Sequence, residues 1–269
     1  MSAATHVGTR REALEAATDA LAAAGCETPR LDAEVLIADA LGVDRGGLTS
    51  DPGLGVPAPE ARVIGERVRR RAAREPVAYI VGRKGFRHID LLVDRRVLIP
   101  RPETELLVEV ALELPAGARV HDVGTGSGAV ALAVKSERPD LGVGASDLSP
   151  DAVAVARANA ARLGIEVGID LARGLPPGSY DLVLANLPYV RDGARLQPEI
   201  ERYEPPAALF AGADGLDAIR CLTAQSPPGT RLALEHAPDQ AAAVRRLLGE
   251  AETRRDLAGR ERVTVGVAR

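Results

Sequence analysis

Aromatic residues are nearly missing from this chain: 4 Tyr, 2 Phe and no Trp in 269 residues. A core of this size must be packed from Ala, Val, Leu and Ile, so each remaining aromatic stands out. Lysine is scarce too. Lys84 and Lys135 are the two present, and arginine carries the rest of the positive charge, a bias read as genome composition rather than as a binding surface. No apolar run reaches the roughly 18 residues of a membrane span, and Met1 to Arg11 lacks the apolar core of a signal peptide. Cys26 and Cys221 lie far apart and form no redox or metal spacing, which suits idle thiols in a reducing compartment. His6, His88, His121 and His236 are scattered without zinc-type spacing, so no metal is expected. A net charge of −4 and a pI near 5.7 argue against a general nucleic-acid binder. The expectation is a cytoplasmic, monomeric protein with no membrane contact and no direct nucleic-acid binding.

What is present is globular. Hydrophobic residues make up 46%, and 27 Gly with 19 Pro stay below low-complexity levels. The first 75 or so residues read as short helices: Arg10 to Ala24 stopped by Gly25, Leu31 to Leu41 ended at Gly42, a Pro/Gly loop over Asp51 to Pro59, then Pro59 to Arg74. The last of these carries Arg67, Arg69, Arg70, Arg71 and Arg74, expected as a solvated face paired with Glu66 and Glu75 rather than as a site for an acidic partner. Strand-like runs follow from Val77 to Leu98, with Ile89 to Val93 and Arg96 to Ile99 as candidates for a linking hairpin. The domains expected are residues 1–76 (helical), 77–100 (hairpin) and 101–269.

From Pro100 onward a helix through Leu112 leads into alternating strands and helices. The strands are Ala118 to Val123, Leu141 to Ser146, Val167 to Leu171, Tyr180 to Ala185, Arg231 to Glu235 and an edge strand Arg262 to Val267. The helices are Ser127 to Lys135, Pro150 to Leu163, Asp214 to Gln225 and Ala237 to Leu248. This alternation predicts an α/β fold with a mostly parallel, doubly wound sheet, whose ligands sit at the carboxyl ends of the strands.

Two motifs fall at such ends. Asp122-Val123-Gly124-Thr125-Gly126-Ser127-Gly128 runs from strand to helix, and its glycines let the backbone approach a ligand. Asp147 closes the next strand, where a carboxylate can accept both hydroxyls of a ribose. Both features serve NAD and S-adenosylmethionine alike. Asp122 separates them: an acid before the glycines would crowd a pyrophosphate but suits a ligand bearing an ammonium and a sulfonium. Asp170 and Leu171, after the third strand, are candidates for an adenine contact, or simply a surface Asp beside a core Leu.

The second motif is Asn186-Leu187-Pro188-Tyr189, at the end of the buried run Tyr180 to Ala185. An amide or exocyclic amine nitrogen is a poor nucleophile because its lone pair is delocalised. Two acceptors on its two N–H groups can orient it and stabilise the charge that develops during attack. The Asn186 side-chain oxygen and the Leu187 carbonyl offer that pair, and Tyr189 offers a ring wall. In-line attack on a sulfonium methyl then depends mainly on position. A plain Asn-x-Pro turn would account for Asn186 and Pro188 but not for Tyr189.

With these residues in view the chain resembles the release-factor glutamine methyltransferases, the HemK/PrmC family. The likeness spans almost the whole chain: Arg74 to Tyr79, Leu98 to Glu105 (Leu-Ile-Pro-Arg-Pro-Glu-Thr-Glu), Asp122 to Leu132, Tyr203-Glu204-Pro205, Gly212 to Leu216, Leu234-Glu235 and Asp256 to Arg260. The Pro-Arg-Pro-Glu-Thr-Glu segment discriminates best among methyltransferases. The resemblance implies a helical N-terminal substrate-recognition domain, a hairpin and a seven-stranded Rossmann-like domain dependent on S-adenosylmethionine. It implies N5-methylation of the Gly-Gly-Gln glutamine of class I peptide release factors. It also implies that Gly124, Thr125, Gly126, Ser127, Gly128, Asp147 and Leu171 hold the cofactor, with Asn186 touching it as well, that Asn186 to Tyr189 hold the glutamine, and that Pro100, Arg101, Pro102 and Glu103 wall the same pocket.

Two positions depart from the family. Its tetrapeptide is Asn-Pro-Pro-Tyr, whereas residue 187 here is Leu, which gives up a ring lock on φ worth roughly 0.4–1 kcal/mol. The family often has an aromatic where Leu171 stands. Asn-Leu-Pro-Tyr also occurs in ribosomal RNA adenine dimethylases, which keeps an RNA adenine-N6 methyltransferase open, as it does a glutamine methyltransferase acting on a ribosomal protein. A silent docking module predicts loss of the cofactor residues, which are all present. An NAD dehydrogenase would need an acid–base site that the sequence does not display.

Overall fold

A computed structural model describes residues 6–269; residues 1–5, the start of the Met1 to Arg11 stretch, lie outside the described residues. The chain divides into two compact units. The helical unit runs to Gly82 and includes Leu196–Tyr203; the sheet unit takes Arg83–Arg195 and Glu204–Arg269.

The helical unit holds β1 (His6–Thr9), α1 (Arg10–Ala23), α2 (Pro29–Leu41), α3 (Arg45–Ser50), β2 (Gly55–Pro57), α4 (Ala58–Ala72) and α5 (Val77–Val81). Thr9 caps α1 by accepting from the Glu12 N–H at 3.2 Å, while Glu12 accepts from the Thr9 N–H at 2.7 Å. Gly42, at φ 65°, ends α2 in the left-handed conformation that glycine adopts without steric cost. The apolar faces of these helices meet over Leu14, Leu21, Ile37, Leu48, Val56 and Ile64. Three expectations change. The loop over Asp51 to Pro59 contains β2, which pairs with β1 through His6↔Pro57 and Thr9↔Gly55. Its Pro/Gly content hid so short a ladder. Val77 to Val81 is helical rather than strand-like, following the Pro76 turn. The arginines of α4 are not all solvated. Arg69 does pair with Glu66 and Arg70 with Glu75, but Arg71 is buried against Asp32 at 2.7 Å and Glu199 at 2.9 Å.

In the sheet unit, the hairpin pairs β3 (Arg83–Phe86) with β4 (Ile89–Leu92). The expected strand over Arg96 to Ile99 does not form. The Val97 N–H bonds the Asp94 carbonyl and the Ile99 N–H is taken by the Glu204 carboxylate, so no ladder is left for it. A 3-10 turn over Pro102–Thr104 enters α6 (Glu105–Leu112). Then come β5 (Arg119–Val123), α7 (Ala129–Glu137), β6 (Gly142–Asp147), α8 (Pro150–Leu163), β7 (Gly168–Leu171) and β8 (Leu182–Ala185); α9 (Pro198–Tyr203) belongs to the helical unit, and the sheet unit resumes with α10 (Asp217–Gln225), β9 (Arg231–Glu235), α11 (Ala241–Leu247), β10 (Leu248–Arg255) and β11 (Glu261–Ala268). The seven-stranded order is β10-β11-β9-β8-β5-β6-β7, with β5 to β9 parallel and the last two strands antiparallel. The α/β architecture is therefore the expected one. The exception is the edge: β11 lies inside β10, whose half-polar sequence Leu248–Arg255 carries no continuous apolar signal. One face of the sheet packs Val183, Leu232 and Leu234 against Ile219, Leu222 and Val244 of α10 and α11. Among the described residues no helix is long and apolar enough to cross a membrane, and no cluster of potential metal ligands occurs.

Candidate active site

Strand register brings the two motifs together. Val123 is opposite both Ser146 of β6 and Ala185 of β8, and Ala185 is opposite Leu234 of β9. The carboxyl ends of four neighbouring parallel strands thus deliver Asp147, the glycine turn, Asn186 and Glu235 to one edge. A cleft of about 570 Å³ opens there, lined by Asp122 to Ser127, Asp147, Asn186, Leu187, Pro188, Pro100 and Thr104.

The turn is built from backbone. The N–H groups of Gly124 and Thr125 both donate to the Ser146 carbonyl, at 2.8 and 3.0 Å, and the Gly126 N–H donates to Asp147 Oδ2 at 2.9 Å. Gly124 sits at φ 75°, and a Cβ there would stand 2.8 Å from Leu187 Cδ2. The positive φ is what calls for glycine at 124, and the Leu187 methyl packs directly over it. A Cβ on Gly126 would meet nothing within 4 Å, so the backbone there is open to a ligand. Gly128 does not line the cleft. It lies against Leu132 and Ala156 and serves helix packing.

Asp122 is 2% exposed, and its Oδ2 accepts from the Thr125 hydroxyl at 2.6 Å and the Ala131 N–H at 3.3 Å. Burial pushes its carboxyl up to about 6, the two hydrogen bonds oppose that, and the Asp147 charge adds to it. The folded state therefore holds this proton more tightly than the unfolded chain, and its contribution to stability is lost as pH rises through about 6. Asp122→Asn is expected to raise the melting temperature of the ligand-free protein above pH 6 and to leave it nearly unchanged below about pH 4. Thermal melts across that range check this.

Asn186 donates its Nδ2 to Thr104 Oγ1 at 2.9 Å, which leaves Oδ1 free to accept from a substrate. The Tyr189 hydroxyl donates to Glu235 Oε1 at 3.2 Å, and its pKa is raised by burial and by that carboxyl. Tyr189 is anchored behind the cleft rather than lining it.

The segment from Pro100 to Glu103 divides. Pro100 lines the cleft. Arg101 pairs with Glu204, whose other oxygen accepts the Ile99 N–H at 3.2 Å, and Glu204 is 3% exposed. Glu103 turns to Arg262 at 3.4 Å and Arg260 at 3.7 Å, and Pro102 opens the 3-10 turn. Arg101, Pro102 and Glu103 thus position the wall that Pro100 forms. Asp170 and Leu171 are not in the cleft either. Both are exposed, Leu171 to 59%, on edge strand β7, and the lining passes to Ala172, Arg173 and Gly174 just beyond.

Sequence reasoning missed Thr104, Phe210 and Glu235. Phe210 lines the cleft, and its rarity as an aromatic was a usable signal. Glu235, a carboxylate at the end of an apolar strand, was another.

The chain matches the family described as PrmC N-terminal domain over residues 12–82 and that described as Methyltransferase small domain over residues 102–202. It is 43% identical to the release factor glutamine methyltransferase of Xylella fastidiosa over 91% of this chain and 96% of that one. The protein of the same name from Mycolicibacterium smegmatis is 45% identical over 84% of each chain. The one from Deinococcus radiodurans is 41% identical over 94% of this chain and 96% of that one. With this likeness running nearly end to end, and the glycine turn and tetrapeptide meeting at one cleft, the chain belongs to the release factor glutamine methyltransferase family.

Proposed function

We propose that this protein methylates the side-chain amide nitrogen (N5) of the glutamine in the Gly-Gly-Gln motif of class I peptide chain release factors, with S-adenosylmethionine as methyl donor. The observation that carries this reading is the placement of Asn186, Leu187 and Pro188 on the same cleft as Asp122 and Asp147.

The cleft suits the cofactor. Asp122 offers a buried carboxylate for an ammonium, the open backbone at Gly126 admits close approach, and Asp147 offers an acceptor for ribose hydroxyls. Bound there, S-adenosylmethionine would supply a methyl group from an electrophilic sulfonium, its C–S bond breaking to leave S-adenosylhomocysteine while the amide nitrogen gives up one proton. The chain's own part is positional. Asn186 Oδ1 and the Leu187 carbonyl accept the two N–H bonds of the glutamine amide, aim its nitrogen and stabilise the charge it acquires. Pro188 biases residue 187 toward extended backbone, which keeps that carbonyl presented. We assign recognition of the release factor to the helical unit, which runs to Gly82 and includes Leu196–Tyr203 rather than ending at the expected residue 76, and methyl transfer to the sheet unit, which takes in the β3–β4 hairpin. The reaction belongs in the cytoplasm and needs neither a partner subunit nor nucleic acid.

Incubation with a class I release factor and S-adenosylmethionine, followed by peptide mapping by mass spectrometry, tests the reading. A single methyl on the Gly-Gly-Gln glutamine is the expected result. A methyl at another side chain, or none, would refute it. Leu187→Pro is expected to keep or raise kcat, because it restores the ring lock on φ, retains the carbonyl and removes the side chain packed over Gly124. A large loss of kcat would show that residue 187 needs a backbone which proline cannot adopt.

A further inference from the structure

One side chain outside the cleft is bonded to two of the segments that build it. Asn159 of α8 is fully buried, and its amide is spent on backbone. Oδ1 accepts the Leu92 N–H at 2.7 Å, while Nδ2 donates to the Leu92 carbonyl at 3.0 Å and to the Ser127 carbonyl at 2.9 Å. A primary amide has two N–H donors and one carbonyl, and here all three are engaged.

The segments so joined are far apart in sequence. Ser127 belongs to the glycine turn and lines the cleft. Leu92 ends β4; its side chain is exposed while its N–H and carbonyl both meet the buried amide, as they would meet a neighbouring strand. From Leu92 the chain runs through the buried Val93 to Arg96, Val97, Leu98 and Pro100, which line the cleft. The same helix is tied to the acid proposed for the ribose: the N–H of its cap, Ser149, donates to Asp147 Oδ1 at 2.9 Å.

We propose that Asn159 is a positioning residue: by sharing one amide between Leu92 and Ser127 it holds the wall that ends at Pro100 in register with the glycine turn. Cofactor binding then steadies the hairpin, and the seated hairpin aligns the glutamine with the sulfonium methyl. This rests on the glutamine-methylation reading above. Transfer tolerates little misalignment, since a displacement of about 1 Å can cost on the order of 10²-fold in rate. The coupling is reciprocal. An opening of the hairpin that pulls Leu92 from Asn159 also frees the amide that holds Ser127, so a ligand bound to the closed turn opposes that opening.

Amide hydrogen exchange with S-adenosylhomocysteine as the ligand reads this link without turnover. In the wild type, saturating ligand should slow exchange across Arg83–Leu92, which does not line the cleft, on the order of 10-fold, and should leave the outer strand β10 nearly unchanged. Asn159→Leu has a similar shape but no polar atoms. In it the hairpin effect should vanish while the turn over 124–128 keeps its own. Its kcat for methyl transfer to a release factor should fall on the order of 10-fold or more, further than its affinity for S-adenosylhomocysteine falls. A wild-type hairpin whose exchange ignores the ligand overturns the proposal, whether or not the variant folds. Equal slowing in β10 overturns it too, because the ligand would then act on the whole sheet rather than through Asn159. So does an Asn159→Leu protein that melts cooperatively and keeps wild-type kcat. A variant that loses ligand affinity alone would show that Asn159 serves the turn without the wall, which also overturns it. A wild type that labels no release factor while its hairpin is protected refutes the functional reading instead.

Discussion

Asn186→Ala is expected to leave binding of S-adenosylmethionine nearly unchanged while kcat for methyl transfer falls roughly 10²–10³-fold, the usual consequence of deleting one preorganised hydrogen-bonding group aimed at developing charge. The structure gives the reason for this division. The residues proposed for the cofactor sit on the turn after β5 and at the end of β6, where Asp147 takes the Gly126 N–H and the Gly124 and Thr125 N–H groups donate to the Ser146 carbonyl, none of them through Asn186. Asn186 instead spends Nδ2 on Thr104, which leaves Oδ1 for the proposed substrate amide. Calorimetric titration of the cofactor beside steady-state transfer separates the two effects. A parallel fall in cofactor affinity would show that Asn186 belongs to the cofactor site rather than to the substrate.

The largest expected effect on stability comes from Arg71→Ala. Arg71 and Asp32 are both buried, and Arg71 Nε meets Asp32 Oδ2 at 2.7 Å while its Nη1 meets Glu199 at 2.9 Å. Arg74 also reaches Glu199 at 2.8 Å, so Glu199 keeps a cation when Arg71 is lost, whereas Asp32 keeps only the Thr28 hydroxyl at 2.9 Å. Breaking a buried pair by removing one member costs about 3–5 kcal/mol, because the other charge stays desolvated. Urea denaturation should show a loss of that order. The double variant Arg71→Met/Asp32→Leu should recover most of it, since no orphan charge remains. A loss near zero in the single variant would mean that water reaches Asp32.

Much of the sheet was legible because buried parallel strands write apolar runs into the sequence and α/β turns mark them with Gly and Pro. Leu182–Ala185 and Arg231–Glu235 are such runs. What escaped had no such trace. β10 is a half-exposed outer strand with charges along its length, and β2 is three residues inside a Pro/Gly stretch. The arginine-rich helix misled for a different reason. Burial of Arg71 depends on Asp32 and Glu199, which lie far from it in sequence, and helical periodicity cannot report that.

The site divided along the same line. Asp122, the glycine turn, Asp147 and Asn186 were readable because each closes a strand or opens a helix, and a parallel sheet brings such ends together. Leu171 was placed by analogy with an aromatic elsewhere, and on edge strand β7 it points out to solvent, so its neighbours Ala172 to Gly174 form that wall. The scarce aromatics proved informative in part. Tyr189 is fastened to Glu235 and Phe210 lines the cleft, whereas Tyr79 and Phe86 are buried core.

Transfer of labelled methyl from S-adenosylmethionine to a purified class I release factor, run beside the same factor with its Gly-Gly-Gln glutamine replaced by alanine and beside ribosomal RNA, tests the central claim most directly. Label on the unaltered factor, and on neither of the others, is the predicted result. Equal label on the altered factor, or label on the RNA with the factor left bare, would contradict it.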